Sequence, residues 1–63
     1  MPLALPEAAQ LLMQYVQSKA PSGPADLVQD SFYNDFREGK TPADLPVVEQ
    51  VIANIKGSAQ KQL

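Results

Sequence analysis

Proline placement limits what this chain can form more than any other feature. Of the six prolines, Pro6, Pro24 and Pro46 each open an amphipathic run, while Pro21 and Pro42 fall in the gaps between runs. Proline lacks an N–H and fixes φ near about −65°, so it suits the first turn of a helix and breaks a helix interior. The spacing therefore predicts three helices, over about 6–19, 24–38 and 45–57, with a tail at 58–63.

In the first, Ala8, Leu11, Leu12, Tyr15 and Val16 recur at i, i+3, i+4, i+7 and i+8, one apolar stripe of an amphipathic helix. Glu7 stands in its first turn, where negative charge opposes the helix dipole. Pro21 drives Ala20 out of the α region and ends it near Lys19. The second helix carries Ala25, Val28, Phe32 and Phe36 along one side, flanked by Leu27 and Tyr33. Gly39 is expected to close it in the left-handed conformation.

The third run is the densest: Val48, Val51, Ile52, Ile55 and Ala59 share a face. Its β-branched residues also suit a strand, but the opening proline and the 3–4 spacing through Ile55 favour a helix. A helix begun at Pro42 would put Pro46 in its second turn, against a preceding carbonyl. Thr41–Leu45 is therefore read as one loose turn, a capping-box variant with Thr41 as cap and Asp44 three residues on. Gly57 is expected to end the regular part. The tetrapeptide Pro-Ala-Asp-Leu appears at both 24–27 and 42–45; both copies follow a glycine-containing loop and read as helix-start chemistry. Ahead of the first helix, Leu3 and Leu5 either fold back on the bundle or fray.

The expected fold is thus all-α, a small three-helix bundle with short Pro/Gly turns. At 63 residues such a core is marginal, since a chain this short buries only roughly 60% of its unfolded surface. Cysteine and histidine are both absent, which removes disulfides and the usual zinc sites as staples. That leaves tight helix packing, self-association or both, so the bundle is one that dimerisation could complete.

The same absences bear on function. Without His or Cys the common general bases and nucleophiles are missing, so no enzyme is expected and no catalytic residue assigned. Carboxylate pairs such as Asp26 with Asp30 read as solvated helix surface, with no metal or cofactor indicated. Isolated glycines build no phosphate cradle. A net charge of −2 and five scattered basic residues give no basic patch for nucleic acid. No run approaches the roughly 20 apolar residues of a membrane span, and the N-terminus lacks a signal-peptide pattern, so a cytoplasmic setting is expected.

What remains is protein–protein interaction: a small non-enzymatic module that self-associates, a dimer being suspected, or docks onto a larger partner. Two alternatives stand beside it. One is a small helix-turn-helix-like DNA-binding or transcription-linked regulator: the second helix, Gly39 and the third helix trace that outline, with Arg37 and Lys40 near phosphate reach, although the recognition half reads Pro46-Val47-Val48-Glu49-Gln50, apolar and acidic. The other is a phage- or plasmid-type inhibitor of a larger enzyme. The apolar residues left over from the core pattern are Leu3, Leu5, Met13, Leu27, Tyr33, Val47 and Leu63. Met13 and Tyr33 lead as interface candidates because methionine adapts and tyrosine is amphipathic. Leu27 joins them, with the uncharged face of Gln10, Gln14 and Gln17, which is cheap to desolvate.

Overall fold

A computed structural model describes residues 2–61. The fold is all-α: α1 spans Leu5–Lys19, α2 Pro24–Leu27, α3 Asp30–Glu38 and α4 Leu45–Gln60, with no strand among the described residues. Each proline-led start falls within a residue of its expected place. Pro6 is in the first turn of α1, Pro24 opens α2 and Pro46 follows Leu45 at the head of α4.

Directions follow from which ends meet. The Leu3 amide donates to Asp44 Oδ1 at 2.7 Å, just ahead of α1 and of α4. Farther along, Met13 and Val16 share a recess with Ile55 and Ala59. The first and last helices therefore run side by side in the same direction. Against α4, α3 runs the other way: Arg37, late in α3, binds Glu49 early in α4, while Asp30 at its start binds Lys56.

The core lies where these helices converge. Ala8 and Leu12 of α1, Tyr33 and Phe36 of α3, and Val48, Val51 and Ile52 of α4 form one buried cluster. Tyr15 stacks edge-on against Phe32 at 5.8 Å and lies 5.3 Å from Phe36, joining α1 to α3 through aromatic faces. Leu3 and Val47 pack against the cluster as half-buried neighbours, so Leu3 folds back. Leu11, expected in the core, is instead 37% exposed.

The helix expected over 24–38 is divided. Val28 keeps a near-helical backbone, but Gln29 is extended at φ −95°, ψ 130°. In a continuous helix the Leu27 carbonyl would pair with the amide of Ser31. Here the Tyr33 hydroxyl donates to it at 2.6 Å. The turn lets α3 present Tyr33 and Phe36 inward together, whereas unbroken spacing had aligned Phe32 and Phe36.

Two glycine expectations are corrected. Gly39 has φ −82° and ψ 4°, not the left-handed conformation. The left-handed cap in this chain is Ala20, at φ 49°, ψ 60°, whose amide returns to the Val16 carbonyl at 3.1 Å. Gly57 does not end α4, which continues three residues to Gln60 because Ala59 is buried. Of the expected tail, Gln62 and Leu63 lie outside the described residues, as does Met1.

Both Pro-Ala-Asp-Leu copies do serve helix entry, with different results. The first forms the whole of α2, and its Asp26 accepts from the amide and hydroxyl of Ser22 at 3.0 and 3.1 Å. The second is mostly turn, and its Asp44 accepts from the Thr41 hydroxyl at 3.0 Å. The Thr41 hydroxyl thus meets the carboxyl of Asp44, not its main-chain amide as a capping box requires. With its other oxygen on Leu3, Asp44 ties the N-terminal segment to the head of α4.

Candidate functional site

Parallel packing of α1 on α4 leaves a seam that no third helix fills. Along α1, Leu5, Ala9, Met13 and Val16 recur at i, i+4, i+8 and i+11, a second apolar stripe beside the one that enters the core. Across from them stand Val51 and Ile55 of α4. Between the two rows lies a recess of about 370 Å³, walled by Leu5, Pro6, Ala9 and Met13 on one side and Val51, Asn54 and Ile55 on the other. Past Met13 the seam continues as a recess of about 220 Å³ that reaches Val16, Leu27 and Ala59. A third recess, about 410 Å³, opens beyond Ala59 against Pro24, Ala25 and Val28 of the α2 segment. Met13 and Ile55 belong to the first two and Ala59 to the last two, so the three form one continuous groove.

Among the described residues, no Asp, Glu, Lys or Arg lines any part of it. Its polar members are Asn54, Ser58 and Gln60, all uncharged. The ion pairs of the described residues lie elsewhere. Arg37 makes a two-pronged contact with Glu49, with Nη2 to Oε1 at 3.0 Å, and its Nη1 also reaches the Asp30 carbonyl and Asn34 Oδ1 at 3.1 Å. Lys56 pairs with Asp30, and Lys19 with Asp35 at 3.1 Å. The hydrogen bond and charge of Lys56, followed by the charge of Arg37, hold the Asp30 carboxyl below its ordinary range. Glu49 and, less strongly, Asp30 raise Arg37 further. Asp35, then Tyr15, raises Lys19. Charge therefore concentrates where α3 meets its neighbours and is absent from the groove.

Of the residues expected at an interface, Met13 stands at the centre of the groove, 50% exposed. Leu27 lines the second recess. Gln10, Gln14 and Gln17 are exposed, and none of them is among the residues that line the three recesses. Tyr33 is corrected: it is fully buried, its ring 5.0 Å from Phe32 and its hydroxyl on Leu27, and it belongs to the core. Burial also pushes its phenol up. Leu5, 48% exposed, also lines the first recess. The missed members are Ala9, Val51 and Ile55. The i, i+4, i+8 spacing from Leu5 points to Ala9, whereas the apolar face of the third run places Val51 and Ile55 in the core and gives no sign of a second, outward role.

Chemically, the groove offers apolar surface with the uncharged polar groups of Asn54, Ser58 and Gln60 in its lining. Among the described residues no group of three or more acidic side chains gathers to hold a metal, and no helix is long and apolar enough to cross a membrane. The basic residues of the helix-turn-helix outline are engaged within the molecule: Arg37 with Glu49, and Lys40 over the Phe36 ring at 4.4 Å from its centroid. Comparison with protein-family models, with curated proteins and with solved structures gives no match for this chain.

Proposed function

We propose that the protein is a non-enzymatic interaction module that binds another protein surface through the α1–α4 groove. In this reading α1, the α2–α3 segment and α4 act as a minimal three-helix bundle with one face left for a partner. The observation that carries it is the continuity of the groove: three adjoining recesses, mostly apolar and, among the described residues, free of ionisable side chains. A contiguous exposed apolar surface on a small domain marks a place where something else packs. Met13 at its middle is an adaptable side chain of the kind used at binding surfaces. The uncharged amides of Gln10 and Gln17, at i−3 and i+4 from it on α1, cost less to desolvate than charged side chains would.

The reading is tested in dilute solution with a fluorescent apolar dye as probe. Saturable binding that Met13→Glu abolishes, with helicity unchanged by circular dichroism, is the expected result. Absence of binding, or binding indifferent to Met13→Glu, would refute it.

A further inference from the structure

We infer that α2 is a lid: it lifts off the C-terminal end of α4 while the rest of the bundle stays folded, and the Tyr33 hydroxyl is its latch. Three observations carry this.

The first is what α2 lacks. No residue from 13 to 32 is buried. None from α2 belongs to the core cluster or to the half-buried residues packed against it. A segment without such anchors opens at a small fraction of the cost of unfolding the whole chain. Its packing on α4 is loose as well. Recesses of about 220 and 410 Å³ lie beside it, the first lined by Leu27 and the second by Pro24, Ala25 and Val28.

The second is how α2 is hung. At one end Ala20 is left-handed and Gly23 is extended; at the other, Gln29 is extended and exposed. The stretch between these joints holds together, since Asp26 accepts from both the amide and the hydroxyl of Ser22. Residues 22–28 can therefore turn as one piece about their two ends, as hinged lids do. Among the described residues, one hydrogen bond ties that piece to the bundle beyond its own joints: the Tyr33 hydroxyl donates to the Leu27 carbonyl.

The third is what lies beneath. Ala59 is 8% exposed, yet it stands outside the core cluster. It shares one recess with Leu27 and the other with Pro24, Ala25 and Val28, so the α2 stretch is its cover. Lifting α2 uncovers Ala59 and joins the two recesses into one apolar opening at the far end of the groove. That use rests on the docking reading above; the movement does not.

Because the chain contains no cysteine, Ala59→Cys places a single thiol beneath the lid, and the flanking recesses leave room for its sulfur. With helicity unchanged by circular dichroism, a small aromatic disulfide reagent should label it more slowly than Glu38→Cys, which is exposed on α3. Low urea should leave that rate unchanged, because lifting the lid exposes little surface. Ile52→Cys, in the core, should label only through global unfolding, at a rate that climbs with urea. Added to Ala59→Cys, Tyr33→Phe should quicken labelling about fivefold, the equivalent of one net hydrogen bond. Ile52→Val, a change to the core alone, should leave it unaltered. Labelling of Ala59→Cys as fast as that of Glu38→Cys overturns the inference. So does labelling that climbs with urea as Ile52→Cys does and quickens with Ile52→Val. The dye keeps the two readings apart: the expected labelling pattern without dye binding retains the lid and removes the docking reading.

Discussion

The Tyr33 hydroxyl donates to the Leu27 carbonyl across the break between α2 and α3, at 2.6 Å. One buried side chain thus serves as core and as replacement for a missing helical bond. Tyr33→Phe keeps the ring but leaves that carbonyl without its donor, and should cost about 1 kcal/mol in urea denaturation. The phenol also has a pH signature. Its folded value is raised by burial, so the stability it contributes is complete below about pH 10, the ordinary tyrosine value, and declines as pH rises through the folded value. Helicity followed into alkali should therefore fall with tyrosine ionisation, and Tyr33→Phe should delay that fall.

Asp44 offers a second single-residue test. It is 8% exposed and accepts from the Leu3 amide and the Thr41 hydroxyl. Asp44→Ala leaves both donors without a partner and should destabilise by about 1–3 kcal/mol. The Leu3 amide should lose protection from hydrogen exchange in the same variant. Asp44→Asn, which still offers one oxygen, should lie between Asp44→Ala and the unaltered chain.

Exchanging two small residues should raise stability. Gly57 sits inside α4 with no atom within 4 Å of where a Cβ would stand, so Gly57→Ala should add about 0.5–1 kcal/mol. Ala20 holds the left-handed conformation that penalises a Cβ. Ala20→Gly should gain a similar amount, about 0.5–1 kcal/mol. A thermal melt of each single variant and of the pair checks both, and additivity is expected because the two sites share no partner.

Acid titration should expose the α3–α4 ion pairs. With its folded carboxyl held below the ordinary value, Asp30 favours folding above about pH 4, and that contribution disappears as pH falls through the folded value. Lys56→Gln should flatten this part of the stability profile, and added salt should do so partially, because Asp30 is exposed.

Much of this architecture was legible from proline and periodicity. The limits of α1 and the start of α4 followed from Pro6, Pro21 and Pro46, since proline acts on its own neighbours and needs no tertiary information. The break at Gln29 did not show. Ala25, Val28, Phe32 and Phe36 hold helical spacing straight through it, and the donor that compensates it comes from the side chain of Tyr33. Gly57 and Gly39 misled for a related reason. Glycine permits a helix to end or turn left-handed without requiring either, and at position 57 the burial of Ala59 decides. In the groove, Met13 and Leu27 were recognisable as surplus to the core, but Val51 and Ile55 face both ways, inward to the core and outward to the seam. A one-dimensional pattern assigns each residue a single side.

The pairing of α1 with α4 also sets the order in which the protein can come into being. Leu12 packs in one cluster with Val48 and Ile52, and the Leu3 amide waits on a carboxyl 41 positions later. Synthesis therefore delivers the first helix long before the surface that shelters it. Until α4 emerges, Ala8 and Leu12 have no α4 cover, and closing so long a loop precedes most of the reward. Folding should therefore wait for the last helix, in one late step, and a nascent chain stalled before Val48 should remain sensitive to protease along its whole length.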